Sequence, residues 1–397
     1  MTVNRPGNQL GGKAAIVGIG ATEFSKASGR SELSLACESV SAAIADAGLS
    51  PSDVDGMVTF STDNNPDVDI ARHVGIGELR HFSRVHYGGG AACGTVVLAA
   101  MAVATGVADV VVCYRAFNER SGRRFGAGVH DIPNEATAER AQFSWTSPAG
   151  LLTPASWVAM VAQRYMHLYG ATSEDFGAVA VADRRHAANN PAAWFYNEPI
   201  TLAEHQASRF IVEPLHLLDC CQESDGGQAI VVTSMERARD LPNAPAVITA
   251  GAQGTGAEQW TMTNFYRDDI AGLPEMGTVA RELWTSSGLT PADISTAVLY
   301  DHFTPYVLMQ LEEFGFCGRG EAAGFIADQG IDIDGKLPIN THGGQLGEAY
   351  IHGMNGIAEG VRQIRGTSVN QVADASHVLV TAGTGVPTSA LILGTDQ

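Results

Sequence analysis

Two stretches of this chain repeat one another far apart in the sequence, and the repeat limits the folds open to it. Residues 46–60 read DAGLSPSDVDGMVTF and residues 286–300 read SSGLTPADISTAVLY, so Gly48, Leu49, Pro51 and Asp53 match Gly288, Leu289, Pro291 and Asp293. Each stretch spells a helix closed by glycine, a proline-led helix start with an aspartate, and then an apolar strand. An internal repeat of this kind implies two homologous halves, each with its own sheet and helices. At 397 residues the chain is long enough for both. The halves are expected at 1–245 and 246–397.

Hydrophobic runs and periodicity place the elements. In the first half they predict strands over 14–20, within 46–60, over 82–85 and over 109–115, with helices over 32–47 and 91–105. A glycine turn, HYGGG, precedes the second helix. Residues from about 116 to 214 break the repeat and are expected to form an inserted loop domain, with helices over 155–169 and 173–189. Residues 218–232 return to the core as a glycine turn and a strand. The second half is expected to carry strands over 246–250, 297–301, 378–381 and 390–393. Its helices fall near 276–286 and 304–314.

Charge and cysteine usage narrow the function classes. The formal net charge of −19 argues against nucleic acid as a partner. An anionic ligand would need a local basic patch, and Arg120, Arg123 and Arg124 in NERSGRRFG are the candidates. No apolar run is long and uninterrupted enough to cross a membrane. The termini carry neither a secretion signal nor a peroxisomal address. The six cysteines include the adjacent Cys220 and Cys221 and show no paired CxxC spacing. That pattern suits a reducing cytoplasm and predicts neither a disulfide framework nor a metal site.

Residues 340–356 (NTHGGQLGEAYIHGMNG) form a glycine-rich turn expected to open a helix, whose free N–H groups suit an oxyanion. The stretch resembles the glycine-rich segment of thiolases. It is accompanied, in order, by YGATSEDFGAVAVADRRHAANNP, ASRFIVEPLHLLDCCQESDGGQAIVV and Tyr300-Asp301-His302-Phe303. The chain is therefore similar to the thiolase superfamily over nearly its whole length, in the lipid-transfer-protein (sterol carrier protein x) branch. The resemblance implies an α/β thiolase fold: two duplicated mixed-sheet halves in an αβαβα layering, with two central helices buried between sheets. It also implies coenzyme A thioester ligands and a dimer formed through the first half.

The catalytic positions of that family are changed here. The nucleophilic cysteine position falls on Gly89, and Cys93 lies a turn further into the helix, facing the interior. The family histidine falls on Tyr350, the branch's His-Asp-Cys-Phe motif reads Tyr300-Asp301-His302-Phe303, and TAGTGVP carries no second thiol. Losing both thiols removes acyl-enzyme chemistry. What remains suits retro-aldol cleavage of a 3-hydroxyacyl-CoA, with Tyr300 and Tyr350 as an acid/base pair. In this reading His302 supplies charge or a hydrogen bond, and Asp301 orients it. Gly89 is expected to leave room for substrate, while Gly89, Gly343, Gly344 and Gly383 supply amides to the oxyanion. His342 and His352 flank the loop and are read as structural.

Tyrosines at these motif positions resemble the steroid side-chain-cleaving aldolases. That resemblance implies cleavage of a 17-hydroxy-steroid-20-carboxyl-CoA to a 17-ketosteroid and propionyl-CoA. It further implies a partner with a DUF35 domain (zinc ribbon plus OB-fold) in an α2β2 assembly. No cofactor is expected to be held tightly, coenzyme A being part of the substrate. The competing readings are an acyl-CoA thiolase or acyltransferase using Cys93, and a non-catalytic acyl-CoA or sterol-binding module.

Overall fold

The computed structural model describes residues 10–122, 124, 138–259, 265, 267–384 and 388–396. Its strands are β1 (Ala14–Ala21), β2 (Gly56–Phe60), β3 (His81–Val85), β4 (Val110–Asn118), β5 (Phe210–Val212), β6 (Leu215–His216), β7 (Asp225–Ser234), β8 (Ala246–Gly254), β9 (Thr296–Val298), β10 (His377–Thr381) and β11 (Thr388–Gly394). β5 and β6 make a small hairpin, and the others form one sheet in the order β3-β2-β4-β7-β1-β8-β11-β10-β9.

The sheet mirrors itself about its centre. In the first half β1 is antiparallel to β7 and β7 to β4, while β4, β2 and β3 run parallel. In the second half β8 is antiparallel to β11 and β11 to β10, and β10 runs parallel to β9. A parallel bridge from Ala297 to Ile339 stands where β3 stands in the first half. The sequence repeat lies on this symmetry. Gly48 and Gly288 adopt φ of 69° and 72°, values at which a Cβ is strained. The turn that follows is closed in the same way in each half: Ser50 N–H donates to Asp53 at 2.9 Å, and Thr290 N–H to Asp293 at 2.8 Å.

Three apolar cores separate the layers. One packs the helix Glu32–Asp46 on the outside of the first half-sheet through Leu35, Val40 and Ile44. Another packs helices Pro274–Ser287 and Thr304–Glu313, with the inserted helices Pro154–Tyr169 and Ser173–Asn189, on the outside of the second. Between them lie the helices Ala92–Ala104 and Met354–Arg365, whose Val96, Ile357 and Val361 meet Ile16 and Ile230 of one half and Leu391 and Leu393 of the other. Helix Ala92–Ala104 is apolar nearly all round because both sides are covered, whereas Met354–Arg365 also buries a polar face whose Asn355, Glu359 and Gln363 are hydrogen-bonded. Truncating Ile357 to alanine there costs about 2–5 kcal/mol.

Two of the element ends that differ from the sequence expectation matter to the site. β4 runs on to Asn118, carrying Arg115 and Phe117 inward. β9 stops at Val298, because the Tyr300 N–H leaves the sheet direction to donate to Thr381 Oγ1 at 2.9 Å.

Candidate active site

Tyr300 follows β9 by two residues and is 2% exposed. Its backbone is clamped: Gln310 Nε2 donates to its carbonyl at 2.9 Å, and Thr381 takes its N–H. The ring lies in a slot made by three glycines. A Cβ on Gly353 or Gly383 would come within 2.9 Å of the ring edge, and one on Gly89 would collide with the hydroxyl itself. Gly89 opens the short turn Gly89–Ala91 that feeds the helix Ala92–Ala104. The phenol oxygen of the second half therefore occupies the space of a side chain at position 89 of the first. Here the sequence expectation is corrected, since Gly89 makes room for Tyr300 and not for substrate.

Tyr350 comes from the other motif, after the short helix Gly344–Gly347, with its N–H on Ser224 Oγ at 3.1 Å. The two phenol oxygens are 3.1 Å apart, within hydrogen-bond distance, and the rings meet edge-on at 68°. Burial raises the pKa of both hydroxyls well above the ordinary tyrosine range. The charges of Cys221 and Glu119 would raise both further. Both are neutral at physiological pH, each able to donate one hydrogen bond while accepting another.

The other nominated groups are placed differently. His302 packs beside Tyr300, ring centroids 4.8 Å apart, but burial lowers its pKa to about 3, so it brings no positive charge. Among the described residues its Nδ1 has no hydrogen-bond partner. Asp301 does not orient it: the carboxylate accepts from the N–H groups of Gln345 (2.8 Å) and Leu346 (3.0 Å), capping the helix Gly344–Gly347. Two amides of that helix are thus already used, and the Gly343 N–H before it goes to the Asn340 carbonyl at 2.7 Å. Gly343 packs on Ala187 and Gly344 on Asp301, behind the tyrosines. The Gly383 N–H donates to the Gly89 carbonyl at 3.2 Å. Of the basic trio, Arg120 is exposed, Arg124 pairs with Glu223, and Arg123 lies outside the described residues.

Cys93 is sealed in the central core, its thiol on the Val380 carbonyl at 3.5 Å, and burial keeps that thiol protonated. Sequence reasoning missed a polar wall beside the pair. Arg115 and Asp63 form a buried ion pair at 2.8 Å, and Arg115 Nε donates to His352 Nδ1 at 3.1 Å. The His352 ring packs edge-on to Tyr350 at 5.2 Å. Glu119 is buried just beyond the end of β4. Arg115, Phe117 and Glu119 alternate along one line of sequence. That period of two was the available signal, overshadowed by the arginines next to it. His342 is buried, as is His352. Among the described residues no group of three or more His, Cys, Asp or Glu side chains is placed to hold a metal ion.

Two half-sheets around two buried helices, with tyrosine hydroxyls where thiol chemistry would stand, define a thiolase-fold protein without thiolase nucleophiles. Family models agree: "Thiolase, N-terminal domain" matches residues 14–236, and "Thiolase C-terminal domain-like" matches 256–395. A "Steroid side-chain-cleaving aldolase" from Thermomonospora curvata is 69% identical over 98% of this chain and 99% of its own. A "17-hydroxy-3-oxo-4-pregnene-20-carboxyl-CoA lyase" from Mycobacterium tuberculosis is 69% identical over 97% of this chain and 100% of its own. A solved "Ltp2-ChsH2(DUF35) aldolase" superposes with a TM-score of 0.94 at 68% identity, covering 98% of this chain and 100% of that one. The chain belongs to the thiolase superfamily, in its steroid side-chain-cleaving aldolase subgroup.

Proposed function

We propose that this chain is a carbon–carbon lyase. It cleaves the side chain of a 17-hydroxy-steroid-20-carboxyl-CoA by retro-aldol reaction to a 17-ketosteroid and propionyl-CoA. The observation that carries this reading is the tyrosine pair, with oxygens 3.1 Å apart, in the space that Gly89 vacates. A retro-aldol step moves one proton from the substrate hydroxyl to the α-carbon and needs no net base. One phenol accepts the hydroxyl proton as the carbon–carbon bond breaks, passes its own proton to the second, and the second protonates the α-carbon of the enolate. Both tyrosines start and finish neutral, consistent with their raised pKa values. The relatives' names supply the substrate class.

Coenzyme A enters as part of the substrate, and Arg120 is the described basic group offered to its phosphates, with Arg123 and Arg124 beside it in sequence. A DUF35-containing chain is the proposed partner, supported by the solved aldolase named above. A homodimer through the first half, giving an α2β2 complex with that partner, is supported by β3. This outer strand pairs only with β2 and shows Phe82 66% exposed, and Met101 on the neighbouring helix Ala92–Ala104 is also exposed. We place the enzyme in the cytoplasm, in keeping with its six free cysteines. We place the boundary between its halves at 245/246, with the insertion at about 116–214.

The thiolase reading requires an ionisable thiol at the site, and Cys93 is too deeply enclosed to serve. The test is incubation of the chain with its DUF35 partner and the steroid CoA ester, with products read by mass. Release of 17-ketosteroid and propionyl-CoA supports the reading. Binding without either product contradicts it and favours a binding module.

A further inference from the structure

Retro-aldol cleavage puts negative charge on the thioester oxygen, and that oxygen needs a hydrogen-bond donor in a dry site. Several of the amides that the motif would offer are engaged elsewhere: Gly343 N–H with the Asn340 carbonyl, Gly383 N–H with the Gly89 carbonyl, Gln345 and Leu346 N–H with Asp301. A buried carboxyl stands just beyond the end of β4. Glu119 is 2% exposed, and among the described residues its Oε2 has no hydrogen-bond partner. Such a group is costly to leave unsatisfied in a folded protein.

We propose that Glu119 is a third catalytic group of this reaction, its carboxyl O–H donating to the thioester oxygen as that oxygen becomes the enolate oxygen. The proposal rests on the aldolase reading above. Ser224 ties Glu119 to the reacting pair: β4 and β7 pair Asn118 with Asp225, which sets Glu119 across from Ser224, and the Ser224 hydroxyl accepts the Tyr350 N–H at 3.1 Å. Arg115 and Phe117, which precede Glu119 at the same period of two, bond and stack on His352, whose ring meets Tyr350 edge-on at 5.2 Å, so this face of β4 looks toward the tyrosines.

Its environment keeps the proton on. Burial, reinforced by the nearby Glu223 charge, raises its pKa well above the carboxylate range. The opposing influences of Arg115, the Ser224 N–H and Lys26 are smaller. The proton is not transferred. As the electrons of the breaking bond move into the enolate, the carboxyl O–H shortens onto the new oxyanion, and it relaxes when the α-carbon is protonated. An ionised Glu119 would repel the enolate, so activity must fall as pH rises through its pKa. Burial lowers Lys26 to about 8, so its titration also shapes the alkaline limb, and the part of the profile that belongs to Glu119 is the part a glutamine there removes.

The experiment measures kcat, KM and the pH profile of the complex with its partner for the wild type, Glu119→Ala, Glu119→Gln and Tyr300→Phe. Glu119→Ala should lose about 10²–10³ in kcat, the cost of one oxyanion donor, with KM changed less than about threefold. Glu119→Gln keeps an N–H donor, so it should stay within about tenfold of wild type and lose the alkaline decline due to Glu119. The inference is overturned if folded Glu119→Ala retains wild-type kcat, if Glu119→Gln is as poor as alanine, or if its pH profile is unchanged. Should alanine not fold, the glutamine profile decides. A wild-type complex that releases no ketosteroid defeats the aldolase reading itself. An active wild type with an inactive Tyr300→Phe and an active Glu119→Ala defeats only this inference.

Discussion

Phe60 and Tyr300 occupy the same place in the two halves, each closing its copy of the repeat. Phe60 ends β2 fully buried, its ring 5.8 Å from that of His352 and 5.7 Å from the Arg115 guanidinium. Tyr300 adds one hydroxyl, and that oxygen reaches the entrance of the first half's central helix. The exchange runs both ways: the first half gives up a side chain at Gly89, and the second fills the space. Duplication kept the scaffold, with the same strand order, the same turn and a central helix in each half. The chemistry came from breaking the symmetry at the points where the halves face each other.

The largest effect should come from refilling position 89. In Gly89→Ala the new Cβ displaces the Tyr300 hydroxyl. We expect kcat to fall by at least the about hundred- to ten-thousandfold that a lost proton-transfer group costs, with the fold retained by circular dichroism. Near-normal turnover would show that the two halves do not share this space. The halves should also separate in kinetics, because the first offers Arg120 to the coenzyme and the second offers the tyrosines to chemistry. Arg120→Ala should raise KM for the CoA ester about two- to fivefold, since an exposed ion pair is worth no more than about 1 kcal/mol, and leave kcat unchanged. An unchanged KM would move the phosphate site elsewhere or to the partner.

Smaller still is the expected effect of Cys93→Ala: turnover within about threefold of wild type, with about 1 kcal/mol of stability lost from the core. A loss of three orders of magnitude in turnover with the fold intact would restore the thiolase reading. A test on stability and not on turnover concerns His302, whose folded pKa of about 3 lies below the unfolded value of about 6.5. Its contribution to stability is complete above pH 6.5 and is lost as pH falls from there toward 3, because the unfolded chain binds the proton first. The Tm difference between His302→Gln and wild type should therefore shift in favour of the variant across that range. A constant difference would mean that His302 charges freely in the folded protein.

The repeat, the buried helices and both tyrosines were legible because each is written in local residue identity: a glycine at a helix end, an apolar run, a motif position. What could not be read was where the side chains meet. Asp301 and His302 look like an orienting pair as neighbours, yet one turns back to cap the helix Gly344–Gly347 and the other is desolvated beside Tyr300. Gly343 and Gly344 suggest an amide cradle, but helix Ser173–Asn189 and Asp301 sit where a ligand would. Glu119 was signalled only by the period of two it shares with Arg115 and Phe117, since its importance comes from burial and from Ser224, a residue far along the chain. Backbone hydrogen bonds are assigned by the three-dimensional neighbour, and for these amides the neighbour was another part of the protein.

The most direct test of the central claim is the turnover of Tyr300→Phe and Tyr350→Phe in complex with the DUF35 partner, each variant losing one oxygen and keeping its ring. The account predicts falls in kcat of about two to four orders of magnitude for each, with small changes in KM and a double variant little worse than the weaker single. Wild-type turnover in both single variants would contradict it and reduce the pair to core tyrosines.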